Sequence, residues 1–552
     1  MVRDFDHNML ILWYESPIMS LDPDVLPDDV DTLRAALVAT QAALVAERAE
    51  RQRLEERNER LEHFLQQLRR MQFGKRSEKL DPDQLNLALE DIEQAVALCQ
   101  AEAEKAEPEV KRRRSAERRR SRGALPPHLP RIEIVVEPEA TACPCCQGSM
   151  HVIGEDRSER LDIIPARYQV IPGSSPRTTR RPKYGCRACS GAVVQAPAPA
   201  RLIEGGLPTE QLVANVLTGK YADHMPLYRQ AQALARQGIE IDRSTLAFWV
   251  GYAAAELMPL WELMRADLLS SAKLFVDETR APVLDPGRGR TKTGYFWAIA
   301  RDDRPWRGTD PPAVVYTYAP GRGTEHAAGL LRDFTGIIQT DAYIAYKKVA
   351  NGDGAAMTIA YCWAHLRREF IDITRKAPAP LADEALRRIA ALYAIEAEIR
   401  GRSADERRAA RQERTKPLVL DLKLWFVAQL ARISGKSTLA GAIRYALNQW
   451  DGLVRFLDDG RIEMDSNTVE RSMRPIALNR KNALFAGHDQ GAENWACLAS
   501  LIETCKLHGV NAEAYLADVL TKLVNNWPNS RLAELTPWAW AAARKNDDRI
   551  AA

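Results

Sequence analysis

Three carboxylates and their neighbours carry the first chemical signal. Residues 465–485 read DSNTVERSMRPIALNRKNALF. Placed on a helix, Val469, Met473 and Ile476 form an apolar stripe, while Asn467, Glu470, Arg471 and Arg474 fall on an opposing polar face. Glu470 is then ringed by amide and guanidinium groups. Upstream, KLFVDET sets Asp277 at the edge of a short apolar strand, and GIIQTDAY does the same for Asp341. One helix carboxylate beside two strand-end carboxylates supplies the hard oxygen ligands with which two Mg²⁺ ions support phosphoryl transfer. The basic tail of the motif, Arg474, Arg480 and Lys481, would face a polyanion. Read singly, each acid is better explained as a capping or solvated residue, with Glu470 paired to Arg474.

Read as a set, the acids belong to a longer ordered pattern. VDET, GYFWAIARDD, QTDAY, CWAHLRREF, the run ALNQWDGLVRFLDDGRIEMDSNTVERSMRPIALNRKN, LFAG and SLIETCKLHG follow one another along the chain. Over 272–301, 336–349, 357–374 and 465–505 they closely resemble the catalytic domain of bacterial transposases of the insertion sequence 66 family. The resemblance implies a ribonuclease-H-like DDE domain with Asp277, Asp341 and Glu470 as its triad. It also implies two accessory proteins encoded by the same element. SNTVERSM varies a stretch that often reads NNAVERAI in the family and leaves Glu470 and Arg474 in place.

A chain of 552 residues is too long for one ordinary core, so three to five modules are expected. Apolar content of 46% and charged content of 27% are those of a globular protein, and the net charge of +3 says little about nucleic acid. The segregation of charge along the chain says more. MLILWY near the start is too short to span a bilayer and follows Asp4 and Asp6, so the expected location is the cytoplasm; the resemblance implies a bacterial cytoplasm and the nucleoid. Met19 is a second candidate start. Nine cysteines, four of them in two close pairs, suit a metal site in a reducing compartment better than disulfides.

Those pairs are CPCC at 143–146 and CRAC at 186–189. Cys143, Cys146, Cys186 and Cys189 place four thiolates where one Zn²⁺ can take them tetrahedrally with no open position, a structural role. Cys145 is spare. The gap between pairs exceeds the usual ribbon spacing and holds strand-like LDIIPARYQVI and RRPKYGC, which predicts an enlarged zinc ribbon.

Ahead of this module, Leu33, Leu54, Leu61 and Leu68 take heptad position d, and Leu37, Leu44 and Leu65 position a. Arg51 and Asn58 also fall at a, where polar residues restrict register, so a two-stranded coiled coil is expected, with a single helix packed on its own domain as the alternative; the family resemblance implies a leucine-zipper-like segment here and favours a homo-oligomer. An acidic stretch then runs into KRRRSAERRRSRG at 111–123, which cannot bury itself and should be disordered when free. Arg112, Arg113, Arg114, Arg118, Arg119 and Arg120 would bind DNA through its phosphates, without sequence preference; a solvated linker folded back on its acidic neighbour is the alternative. Arg471, Arg474, Arg480 and Lys481 are the matching candidates in the core.

After the linker PAPAPARLIEGG, residues 207–265 read as helices; Asp242 is the expected N-cap of DRSTLAFWVGYAA, with Leu246, Trp249 and Val250 on one face. A helix-turn-helix that reads DNA ends fits this pattern, as does a plain bundle. KLFVDET, GYFWAIA and AVVYTYA predict an antiparallel meander, followed by a helix over 324–334 and the strand that ends at Asp341. Cys362 and His365, one turn apart, resemble the C/DxxH motif of several transposase groups and read as packing or ordering beside the acids. SGKST at 434–438 is not a phosphate loop, because the first glycine of G-x-x-x-x-G-K-S/T would stand where Leu430 is. The tryptophans of LTPWAW read as core.

The expected architecture is multidomain α+β. It comprises a disordered N-terminus (1–28), a coiled coil (29–72), an acidic then basic linker (73–125), a zinc-ribbon-like module (126–200) and a helical DNA-binding region (201–266). An RNase-H-like catalytic core (267–375 and 451–508) follows, interrupted by a helical insertion (376–450) and closed by a C-terminal segment (509–552). The expected activity is Mg²⁺-dependent cleavage at element ends and joining of 3′ ends to target DNA. A DNA-binding repressor with an inactive nuclease fold and a structure-specific metal-dependent nuclease are the alternatives.

Overall fold

The computed structural model describes residues 82–121, 125, 131–138, 142–143, 145–162, 177–186, 193–284, 291–352, 357–483, 486 and 488–550. The expected coiled coil, the segment before it and Cys189 lie outside the described residues.

Two helices come first, α1 (Pro82–Ala106) and α2 (Pro108–Ser121). The arginine block therefore continues as helix where disorder was expected. Its neighbour α1 has a buried face of small and apolar residues, Ala95, Ala97, Leu98 and Ala101, which anchors the pair. Arg118 of α2 then ties back to Glu104 of α1 through two bonds of 2.7 and 3.0 Å.

A small sheet follows, made of β1 (Ile132–Val135), β2 (Met150–Glu159), β3 (Arg177–Cys186) and β4 (Val193–Gln195). β3 pairs parallel with β1 and antiparallel with β2 and β4.

Helices α3 (Glu210–Tyr221), α4 (Leu227–Ala235) and α5 (Arg243–Leu269) lead to the main sheet. Asp242 does take the N-cap position of α5, but its side chain makes no capping bond. The expectation that this helix reads DNA meets an obstacle in α1, which packs on it. A Cβ on Gly251 would lie 2.2 Å from the Gln94 carbonyl oxygen, and Arg243 in the first turn is bonded to Glu93 at 2.7 Å. Leu246, Trp249 and Val250 are buried together, as in a plain bundle.

The main sheet holds β5 (Lys273–Val283), β6 (Lys292–Arg301) and β7 (Ala313–Ala319) as the expected antiparallel meander. Helix α6 (Thr324–Leu330) crosses back to β8 (Gly336–Thr340), and α7 (Ile344–Ala350) crosses on to β9 (Met357–Tyr361). Both late strands run parallel to β5, giving the order β7-β6-β5-β8-β9. Leu274, Phe275 and Val276 are all fully buried, the consecutive apolar run of a strand covered on both faces.

Between β9 and the third acid lies a helical layer: α8 (Trp363–Thr374), α9 (Pro380–Ile399), α10 (Ala404–Ala410), a π turn at Arg411–Thr415, α11 (Lys416–Leu430), α12 (Thr438–Asn448) and α13 (Trp450–Val454). It has its own core, which takes in Trp363, Leu366 and Phe370 of α8 as well as Leu392, Phe426 and Trp450. The layer thus begins one helix earlier than composition indicated. Ser437 of the SGKST stretch caps α12, accepting from the Ala440 amide. Arg407 and Arg411 are buried in this layer and paired with Glu463 at 2.8 Å and Glu396 at 2.7 Å.

The chain returns to the sheet with α14 (Asn467–Ala483) and α15 (Asp489–Leu507), then closes with α16 (Ala512–Val524) and α17 (Pro537–Ile550). The outer edge of β7 is satisfied by α15: the Val314 amide donates to Thr504 Oγ1 and the Tyr316 amide to Ser500 Oγ. An open edge that would otherwise recruit another strand is thereby closed. Trp540 is buried against Tyr515, a core role as expected. No described helix is long and apolar enough to cross a membrane.

Candidate active site

Parallel pairing of β5 with β8 sets the first two acids side by side. Phe275 is opposite Gln339, so two residues further on Asp277 and Asp341 lie at the same level. Asp341 stands just past the end of β8, whereas Asp277, expected at a strand end, is in mid-strand, because β5 continues to Val283 in its pairing with β6. Each is oriented by the backbone just beyond it: the Glu278 amide donates to Asp277 Oδ1 at 2.9 Å and the Tyr343 amide to Asp341 Oδ1 at 3.0 Å.

Glu470 comes from the first turn of α14. Val469, Met473 and Ile476 are buried, as the helical stripe required, and this face lies against the β5 side of the sheet. The run into the helix is held by Gln339, whose Nε2 donates to the carbonyls of Glu463 (2.6 Å) and Asp465 (3.1 Å). Nothing in the sequence singles out this glutamine, although it lies two residues before Asp341. The surroundings of Glu470 differ from the ring of groups expected from its own helix. Arg471 and Arg474 are exposed, and the groups that face Glu470 come from α8 instead: His365 Nδ1 at 3.6 Å and Arg368 at 3.5 Å.

The site is electrostatically crowded. The Asp277 carboxyl is pushed up to about 7, first by burial, then by the charges of Glu278, Asp341 and Glu470. Glu278, next to Asp277 and pointing to the other face of the strand, is also raised, by burial. It is held by Arg322, whose Nε donates at 2.7 Å, and by the Tyr346 hydroxyl. Arg322 lies over the Tyr343 ring at 3.8 Å. None of these three partners was singled out from sequence; the only signal was the second acid of VDET. Carboxylates brought together at this cost fit divalent cations, which would offset the repulsion and take hard oxygen ligands.

The zinc candidates are partly visible. Cys143 is buried in a turn closed by its amide to the Gly148 carbonyl (2.8 Å) and by the Gln147 amide to its own carbonyl (2.8 Å). β2 starts immediately afterwards, and its first residue, Met150, is opposite Cys186 at the end of β3. β4 then pairs back with β3 at Gly185. The turn that carries Cys143 and Cys146 thus lies at the same end of the sheet as Cys186, a placement compatible with a shared ion. The side chain of Cys186 and all of Cys189 lie outside the described residues.

Among the basic candidates, Arg112, Arg113, Arg119 and Arg120 are exposed on α2, and Arg471, Arg474 and Lys481 on α14. Arg114 donates to the Gln100 carbonyl, and Arg480 to the Arg280 carbonyl at 2.6 Å. Arg118 is committed to Glu104 and to the Glu204 carbonyl, which removes it from the set that can meet phosphate.

Comparison with known proteins gives four family matches along the chain. Residues 205–494 match the transposase IS66 family, and residues 140–190 the zinc-finger binding domain of transposase IS66. Residues 60–134 match the family described as transposase C of IS166 homeodomain, and residues 500–538 the IS66 C-terminal element. Curated relatives come from Sinorhizobium fredii (strain NBRC 101917 / NGR234). The uncharacterized protein y4jD is 46% identical over 484 residues, 86% of this chain and 93% of its own length. The uncharacterized protein y4qI is 42% identical over 536 residues, 93% of this chain and 97% of its own. The uncharacterized protein y4hP is 38% identical over 501 residues, 88% of this chain and 89% of its own.

Proposed function

The chain belongs to the IS66 transposase family, and from that premise we propose that it cleaves DNA at the ends of its element and joins the 3′ ends to target DNA. The sheet order β7-β6-β5-β8-β9 supports reading the core as RNase-H-like, with Asp277, Asp341 and Glu470 as the acid set. Two Mg²⁺ ions, when bound, would supply activation of the attacking oxygen and stabilisation of the leaving 3′ oxygen. The protein's part is positional. Asp277 and Asp341 project from adjacent parallel strands, and Glu470 approaches from a helix whose run-in is fixed by Gln339. Arg471 and Arg474, exposed on the same helix, would meet the phosphates flanking the scissile bond. Exposed α2 arginines would hold DNA at a distance from the chemistry, and one Zn²⁺ on the cysteine module would be structural. A homo-oligomer and accessory proteins of the element complete the expected assembly.

The observation that carries this reading is the register that sets Asp277 and Asp341 level on adjacent parallel strands, with Glu470 on a helix packed against the first of them. The test is cleavage and strand transfer on DNA carrying the element ends, with Mg²⁺, the wild type and Asp277→Ala. Joined products that vanish in the variant support the proposal. Cut but unjoined ends would make the protein a nuclease, and end binding without cutting, even with the accessory proteins, a repressor.

A further inference from the structure

Among the described residues, one set of three possible metal ligands has its ligand atoms all within 4.8 Å of one another, and it is not the acid triad. It is Cys362, His365 and Glu470. We propose that these three residues form a second metal site, selective for Zn²⁺ over Mg²⁺, that withdraws Glu470 from the acid pair.

The arrangement follows from two helix starts that face each other. Cys362 is the N-cap of α8 and His365 stands one turn on, so both project from the same helix end. Glu470 projects from the first turn of α14. His365 Nδ1 and Glu470 Oε1 lie 3.6 Å apart, and both atoms are buried without a hydrogen-bond partner. Buried polar atoms are ordinarily satisfied, so two that face one another across a gap of this size mark a place for a cation. Cys362 is 2% exposed, and its Sγ accepts the Ser466 amide at 3.2 Å, which fixes the sulfur toward the gap.

Bond lengths of about 2.0–2.3 Å to zinc set the edges of a tetrahedral ligand set at roughly 3.3–3.7 Å. The histidine–glutamate edge already has this length, and the sulfur edges need a contraction of no more than about 1 Å. The donor set decides the ion. A thiolate and an imidazole favour zinc, whereas Mg²⁺ takes oxygen ligands in near-octahedral geometry. Binding releases the thiol proton and leaves a fourth position open. Zinc binding here does not depend on the transposase reading. Its consequence, inhibition by removal of the third acid, rests on that reading.

The test is a zinc titration of the full chain by metal analysis after dialysis. The wild type should hold two Zn²⁺ ions per chain, one on the four-cysteine module and one here. Cys362→Ser and His365→Gln should each hold one. Two variants are used because Cys362 is buried, with circular dichroism to confirm that both fold. Co²⁺ substitution should show a thiolate charge-transfer band that weakens in Cys362→Ser. Asp277→Asn should leave the titration unchanged. Unaltered stoichiometry in both first variants would overturn the site, as would loss of the second ion in Asp277→Asn, which would place the ion on the acid pair. In strand cleavage, Zn²⁺ added over saturating Mg²⁺ should inhibit the wild type at least about ten-fold. Absence of cleavage with Mg²⁺ and no added Zn²⁺, even with the accessory proteins, would refute the transposase reading and leave the zinc count untouched.

Discussion

Asp277 illustrates how a single carboxyl records what its neighbours do. Its folded value of about 7, against an ordinary 3.8, means that folding keeps a proton the unfolded chain gives up. Below pH 3.8 the residue costs nothing, since it is protonated in both states. Its penalty grows as pH rises from about 4 to 7 and is constant above that, reaching about 4 kcal/mol at most by linkage. Asp277→Asn should therefore stabilise the metal-free protein, with a gain that increases between pH 4 and 7 and then levels off. Urea unfolding at pH 5 and pH 8 without added divalent cation measures this. Saturating Mg²⁺ at pH 8 should shrink the gap by stabilising the wild type alone. A gain independent of pH would mean that the acid is not crowded.

At the scale of elements, the legible parts were those whose pattern repeats locally. The apolar segments read as β5, β6 and β7 and the stripe of Val469, Met473 and Ile476 are properties of a few consecutive residues, and both appear in the structure, although the strands are buried in consecutive runs rather than by alternation. What stayed hidden depends on partners far along the chain. The acidic sequence of α1 looks like a linker because its buried face is built from alanines, and only the α5 surface at Gly251 shows what they pack against. His365 and Arg368 meet Glu470 from about a hundred residues away, so neither spacing nor periodicity could pair them. Arg411 hides its role at shorter range: it is fully buried and bonded twice to Glu396, 15 residues earlier on another helix of the layer. Breaking such a pair leaves a buried charge, whereas replacing both members with apolar residues removes the desolvation penalty as well. Arg411→Ala should cost about 3–5 kcal/mol in chemical denaturation, and Arg411→Met with Glu396→Leu should recover most of it. Equal losses in the two variants would show that the arginine acts through its hydrogen bonds to the Phe456 and Asp459 carbonyls instead.

For the molecule as a whole, a net charge of +3 conceals two separated cationic surfaces, one on α2 and one on α14. They differ in what lies beside them. The α14 residues Arg471 and Arg474 flank the third acid, while the exposed arginines of α2 sit on a helix fixed to α1 by the Arg118–Glu104 pair. Each phosphate contact made by such a residue contributes about 0.9 to the slope of log affinity against log salt. Replacing Arg112, Arg113, Arg119 and Arg120 with alanine should then lower that slope by about 3–4 on non-specific duplex DNA. Arg118→Ala provides the contrast. Its guanidinium is spent on Glu104, which is only 7% exposed, so the substitution should leave the slope unchanged and lower thermal stability by stranding a buried carboxylate. Fluorescence anisotropy over a salt series measures both. If Arg118→Ala flattens the slope as strongly as one of the exposed arginines does, α2 must release Arg118 when it meets DNA, and the helix would be a switch rather than a fixed cationic face.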